Sequence, residues 1–212
     1  MIEDLECLKQ VLQREDAQRG LVALYSQSQS ECTRDGKCGM EIGMAREKDQ
    51  GAILKLFLND KINLKIDNNL TEDYVIGNSK ISAKHSGNKI GSPVKIKWTS
   101  ADTPVKETIE KIINDTEYPH LLITYLDTTC EKVTIICITA EHNKHVIKTL
   151  QYDAFTVPKG NSRGIEYSKK AMTELLQNRY FTIEIKNVKL RGGLCPIERR
   201  INVLKSMGID GV

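Results

Sequence analysis

What this sequence lacks narrows it first. No run comes near the ~18 consecutive apolar residues of a membrane-spanning helix, so none is expected. Only 5 of the 212 residues are proline, and no tract is biased or repetitive, which argues against solenoids and propellers. The N-terminus, MIEDLECLKQ, is acidic and amphipathic, the reverse of a basic-then-apolar secretory leader. The 6 cysteines, Cys7, Cys32, Cys38, Cys130, Cys137 and Cys195, form no C-x-x-C pair. Five residues separate Cys32 from Cys38 with no histidine nearby, which disfavours a metal knuckle. Reduced thiols and a cytoplasmic location are the expectation. No G-x-x-x-x-G-K-[ST] occurs, and SGNKIGS lacks the strand–loop–helix setting of a phosphate loop. No G-x-S-x-G signals a nucleophile elbow.

What is present fits one ordinary domain. A chain of this length buries roughly 70% of its unfolded surface, so a core can form without disulfides or a structural metal. The formal charge is +3, too small to identify a nucleic-acid binder. Its distribution says more. Residues 80–97 carry Lys80, Lys84, Lys89, Lys95 and Lys97 with no acidic residue, and VPKGNSRG at 157–164 is a second acid-free basic stretch. Either could be a solvated face; two in one small domain point toward a polyanion.

Apolar spacing predicts one long or broken helix from Ile2 to about Ser26, with Gly20 as the break and QSQSECTRDGKCG as a polar loop. A second helix is predicted from about Met40 to Leu58. The period then changes to two, through Ile62, Leu64 and Ile66. Gly77-Asn78 between two short strand runs reads as a hairpin turn, because both residues accept positive φ. PVKIKW is strand-like, and Pro104 opens a helix to about Asn114. HLLITYLD (120–127) and KVTIICIT (132–139) are apolar enough for central strands. A helix near Glu141 to Leu150, a helix over 165–179, a strand over 180–190 and a terminal helix complete the reading. The class is α/β, with a mixed central β-sheet flanked by helices.

The chemistry concentrates in Glu72-Asp73-Tyr74-Val75-Ile76-Gly77-Asn78-Ser79-Lys80-Ile81-Ser82-Ala83-Lys84. Asp73 begins one strand of the hairpin, and Lys84 sits on the next. Ser82 and Lys84 are two apart and share a strand face, which the hairpin folds back beside Asp73. A carboxylate, a hydroxyl and an ammonium then surround one point. Phosphodiester hydrolysis needs such a point: a divalent cation on carboxylates to neutralise charge and activate water, and a lysine to orient that water or stabilise the phosphate.

This segment resembles the PD-(D/E)xK nuclease motif, with an Asp73–Lys84 spacing of 11 residues. Glu72 stands where the motif has proline, and Ser82 replaces its second acid. GMAREKDQGAILKLFL (43–58), VKIKWTSAD (94–102) and PKGNSRGIEYSKKAMTELL (158–176) are similar, in order, to elements of several type II restriction endonucleases. The resemblance implies a single nuclease domain over 1–212, with an N-terminal helical region and loop at 1–36, a catalytic core at 37–190 and a C-terminal tail at 191–212. It also implies a restriction-endonuclease-like fold that uses Mg²⁺ to cut both strands of double-stranded DNA at a short site. Glu47, borne on the helix, would supplement Asp73 at the metal, and Ala83 would add its carbonyl. Ser82 would hydrogen-bond a nearby water, and Lys84 would attend the attacking water. A homodimer matched to a palindromic site is expected, as is functional pairing with a DNA methyltransferase.

Alternatives stay open at each residue. Glu47 could be an exposed helix residue pairing with Arg46, Glu72 could be the second ligand, and Asp73 could merely cap a turn. DNA contacts are assigned to Lys95, Lys97 and Ser100 along the backbone, and to Asn161, Ser162 and Arg163 for base reading. Met40 and Met44 either wedge between base steps or pack in the core. His142 and His145 have helical spacing but no evident third zinc ligand, and a phosphate contact by His85 is a further option. Two rival functions remain: a repair or junction-resolving nuclease of the same fold, and a non-catalytic DNA-binding module.

Overall fold

In a computed structural model of the chain, the described residues are 2–34, 39–59, 62–64, 73–87, 89–99, 104–127, 131–158, 164–186 and 188. Helix α1 spans Ile2–Gln13 and buries Leu5, Leu8, Val11 and Leu12 along one face, as the 3.6-residue period requires. The break falls at Arg14, six residues before Gly20. Arg14 pairs with Asp16 through both carboxylate oxygens at 3.0 and 2.8 Å. Gln18 donates to the Leu12 carbonyl at 2.9 Å, which satisfies an acceptor at the helix end.

Helix α2 then runs through Glu15–Arg34, across most of the segment expected to be a polar loop. That segment misleads because its inner face is polar yet buried: Ser28 and Cys32 continue the stripe of Leu21 and Tyr25 at helical spacing. Gly20 lies inside α2, and a Cβ there would sit 2.6 Å from the Ile53 side chain. It permits close approach to α3, which spans Gly39–Leu58.

The main sheet follows the alternating pattern read from the sequence. Strands β1 (Ile62–Leu64), β2 (Tyr74–Ile76) and β3 (Ser79–Ser86) form an antiparallel meander. β4 (Lys95–Trp98) and α4 (Val105–Asn114) make the crossover to β5 (His120–Asp127), which pairs parallel with β3. β6 (Lys132–Ile138) pairs antiparallel with β5, and β9 (Phe181–Ile185) with β6. The sheet order is β1-β2-β3-β5-β6-β9, so β5 and β6 are interior, as their apolar runs imply.

Their side chains sort by period two into two cores. Leu122, Leu126, Val133, Ile135 and Cys137 face α1, α2 and α3, whereas Leu121, Ile123, Tyr125, Ile136 and Ile138 face the other helical layer. Cys137 is a free, fully buried thiol, and burial pushes it up to about 12. That layer holds α4, α5 (Ala140–Leu150) and α6 (Lys169–Gln177).

β7 (Phe155–Thr156) and β8 (Gly164–Tyr167) join β4 in a second sheet of order β4-β8-β7. The helix expected over 165–179 therefore begins later, at Lys169. The Ser168 hydroxyl caps α6 by accepting from the Ala171 N–H at 3.2 Å, and the preceding Ile165-Glu166-Tyr167 is strand. The expected terminal helix lies outside the described residues.

The hairpin turn has a tertiary lock. Gly77 has φ +55°, and a Cβ on it would lie 2.4 Å from Oδ1 of Asp4, on α1. Asp4 Oδ2 also accepts from the Ser79 hydroxyl at 2.9 Å. Gly77→Ala is expected to cost about 2–3 kcal/mol, from left-handed strain plus disruption of the Asp4 contact. Thermal denaturation should show a fall in Tm of roughly 5 °C; an unchanged Tm would remove α1 from the support of the hairpin.

Candidate active site

β2 and β3 bring Asp73, Ser82 and Lys84 to one point because the hairpin register is fixed. Tyr74 lies opposite Ile81, and the Asp73 N–H donates to the Ile81 carbonyl at 2.9 Å. β2 begins there, so the next edge position of β3 is taken by the Asp73 side chain. Asp73 Oδ2 accepts three bonds: from the Ala83 N–H at 2.6 Å, the Ser82 hydroxyl at 3.2 Å and Lys84 Nζ at 3.4 Å. The Ala83 carbonyl opens on the same strand edge as its N–H. The Asp73 and Lys84 side chains are only 18% and 19% exposed, so their ion pair is less screened than a surface pair.

Glu47 joins this group from α3. Its carboxyl is within hydrogen-bonding reach of Asp73; burial first, and then the Asp73 charge, raise it to about 7, with Lys84 opposing. Tyr74 anchors the helix at that residue, donating to the Glu47 backbone carbonyl at 2.6 Å. Two carboxyls in contact, backed by one ammonium, form an oxygen-rich point that favours a proton or a cation between them. The structure thus brings together Glu47, Asp73, Ser82, Ala83 and Lys84. Tyr74 carries no signal of this role in the sequence, where an aromatic in a strand run indicates packing. Among the described residues no group of three or more His, Cys, Asp or Glu is placed to hold a metal, so any third protein oxygen must come from elsewhere, such as the Ala83 carbonyl. Glu72 lies outside the described residues.

The expected DNA contacts are more scattered. Met44 is 49% exposed, which excludes the core packing weighed for it. It lies three residues before Glu47 and so on the same face of α3. Met40 is on α3, but its side chain lies outside the described set. Lys95 and Lys97 are on β4, in the second sheet, with Lys97 exposed. Ser100, Asn161, Ser162 and Arg163 lie outside the described residues, although the ends they connect to are adjacent, since Trp98 pairs with Gly164.

The other candidates have structural partners. His85 turns inward, with Nε2 3.3 Å from the Tyr25 hydroxyl, so it makes no phosphate contact from this position. The His142 and His145 rings stack at 6.4 Å, and His142 Nε2 lies 3.0 Å from the Glu174 carbonyl. No helix among the described residues is long and apolar enough to cross a membrane.

A mixed α/β sheet with an Asp–Lys hairpin one strand in from its edge and a glutamate delivered by the adjoining helix defines a class of fold. A solved structure described as "Restriction endonuclease in complex with substrate DNA" superposes with a TM-score of 0.73. It covers 94% of this chain and 99% of its own, at 20% identity, and so attests the fold. No curated protein gives a significant match. Residues 8–200 match the family of restriction endonuclease ThaI, and the chain belongs to that family. Membership carries the activity of a type II restriction endonuclease, site-specific hydrolysis of DNA phosphodiester bonds.

Proposed function

We propose that the chain cuts both strands of a short duplex site with Mg²⁺, from a PD-(D/E)xK-type centre in which a helix glutamate replaces the missing second acid. The observation that carries this reading is the contact between the Glu47 and Asp73 carboxyls beside Lys84. The donor set fits a hard divalent cation, which takes oxygen ligands and retains waters: Asp73 and Glu47 would hold it together with the Ala83 carbonyl. Bound there, Mg²⁺ would supply charge neutralisation at the phosphate and a lowered pKa for water.

The chain's own residues do the rest. Lys84 orients the attacking water and stabilises charge on the phosphate. Ser82 holds a nearby water and, with the Ala83 N–H, fixes the Asp73 carboxylate in one orientation. Met44, on the face of α3 that carries Glu47, enters the duplex between base steps. Lys95, Lys97 and Ser100 bind the backbone, while Asn161, Ser162 and Arg163 read bases. The adjacency of Trp98 and Gly164 supports this, because segments 100–103 and 159–163 attach at neighbouring points. A homodimer on a palindromic site, a cytoplasmic location and a partner DNA methyltransferase complete the reading.

Digestion of a sequenced plasmid tests it. Discrete fragments are expected with Mg²⁺ and none in EDTA. Smears or branch-dependent products would favour a junction-resolving nuclease, and intact but bound DNA would favour a non-catalytic module.

A further inference from the structure

Behind the catalytic face, α2, α3, β3 and β5 enclose a polar layer that the proposed chemistry does not use. His85 and Thr124 lie directly opposite each other on β3 and β5. The Tyr25 hydroxyl bonds His85 Nε2 at 3.3 Å and also bonds Thr124. Gln50 Nε2 donates to Thr124 Oγ1 at 3.2 Å. Arg46 lies one helical turn before Gln50 on α3, and both are buried, at 5% and 0% exposure. Three buried atoms of this layer have no hydrogen-bond partner in the protein: Arg46 Nε, Gln50 Oε1 and His85 Nδ1.

These atoms are chemically matched. Arg46 Nε–H only donates, Gln50 Oε1 only accepts, and His85 Nδ1 does one or the other according to tautomer. An anion cannot donate to Gln50, and a cation is repelled by Arg46. A water molecule can accept from Arg46, donate to Gln50 and make a third bond with His85 in either tautomer. Three bonds to otherwise unpaired polar groups is the usual complement of a buried water.

We infer that one water molecule is bound between Arg46, Gln50 and His85, and that through it this layer registers α3 on β3. The consequence for the site follows from chain order. Arg46 precedes Glu47 on the helix, and His85 follows Lys84 on the strand, so the bridge sets how far Glu47 stands from Lys84 and Asp73. Arg46, Gln50 and His85 are positioning residues. This rests on the role proposed for Glu47.

The test uses the full-length purified protein. A crystal structure resolving ordered waters should show one within hydrogen-bond distance of all three atoms; pairing of those atoms with protein groups instead would overturn the site. Gln50→Leu removes the acceptor, and with it the Nε2 bond to Thr124, at similar volume. It should slow single-turnover cleavage roughly tenfold or more and raise the Mg²⁺ concentration needed for half-maximal rate, with DNA affinity in Ca²⁺ unchanged. Gln50→Glu, which restores an acceptor oxygen, should recover to within about threefold of wild type. A Gln50→Leu protein with a lowered Tm but wild-type rate and Mg²⁺ dependence would leave the layer a purely structural role and overturn the inference. If Gln50→Leu does not fold, Arg46→Lys, which keeps the charge and deletes Nε, takes its place. Wild-type protein inactive with Mg²⁺ would sink the proposed function, while the water in the crystal structure would still decide the site.

Discussion

Asp73→Asn is expected to reduce the cleavage rate roughly 10³-fold or more, because several kcal/mol of transition-state charge stabilisation depend on the cation that this carboxylate would hold. The same substitution should leave DNA affinity in Ca²⁺ within about threefold of wild type, since phosphate contacts along the duplex dominate affinity. Stability should not fall with activity. Asp73 Oδ2 accepts from Ala83, Ser82 and Lys84, and an asparagine oxygen can keep the Ala83 and Ser82 bonds while losing the charge. It also relieves the contact between two acidic groups at Glu47. The expected pattern is a dead enzyme with an unchanged or higher Tm, as is common where function stores strain. Substantial residual cleavage by single-turnover assay would remove Asp73 from the centre; a large fall in Tm would recast it as a turn-capping residue.

The hairpin that carries Asp73 was legible because three local signals agreed: alternation of apolar residues, Gly77-Asn78 at the turn, and Ser82 and Lys84 two apart. Gly77 at φ +55° makes the turn between β2 and β3, with the positive φ taken by Gly77 and not by Asn78. The interior strands were legible for a similar reason, since residues buried on both faces leave a continuous apolar run.

Polar burial hid the rest. Ser28 is buried because it donates to Asp49 at 2.6 Å, and Tyr25, Arg46 and Gln50 are buried within a hydrogen-bonded layer. A stripe of such residues reads as a solvated helix face until its partners are known, so in the sequence the end of α2 reads as a loop. Gly20 misled in the opposite direction. Its value is the missing Cβ against Ile53, which no local pattern displays. Glu47 stood apart from both cases: periodicity places it on a helix, but only family resemblance directed it to Asp73, 26 residues away across β1. The loops expected to read bases carry no such internal check, because specificity rests on a few side chains and on DNA deformability.

Glu47→Gln separates the helix-borne acid from Glu72, the alternative second carboxylate. Cleavage is expected to fall about 10²-fold, a smaller loss than for Asp73→Asn because Asp73 keeps its position through β3. A near wild-type rate would transfer the second carboxylate role to Glu72. The pH dependence of stability provides an independent reading. Burial and the Asp73 charge raise Glu47 to about 7, so between the ordinary carboxylate range and pH 7 the folded protein holds a proton that the unfolded chain has released. Stability then falls as pH rises through that window. Glutamine never ionises and escapes this loss. In EDTA, Glu47→Gln and wild type should melt together near pH 5, and the variant should be the more stable at pH 8 by on the order of 3 kcal/mol. Parallel melting curves at both pH values would mean that Glu47 ionises freely in water and does not meet Asp73. A slow variant that is also the more stable one at pH 8 is the combination that an acid held in place for a cation should give, and an exposed helix glutamate gives neither.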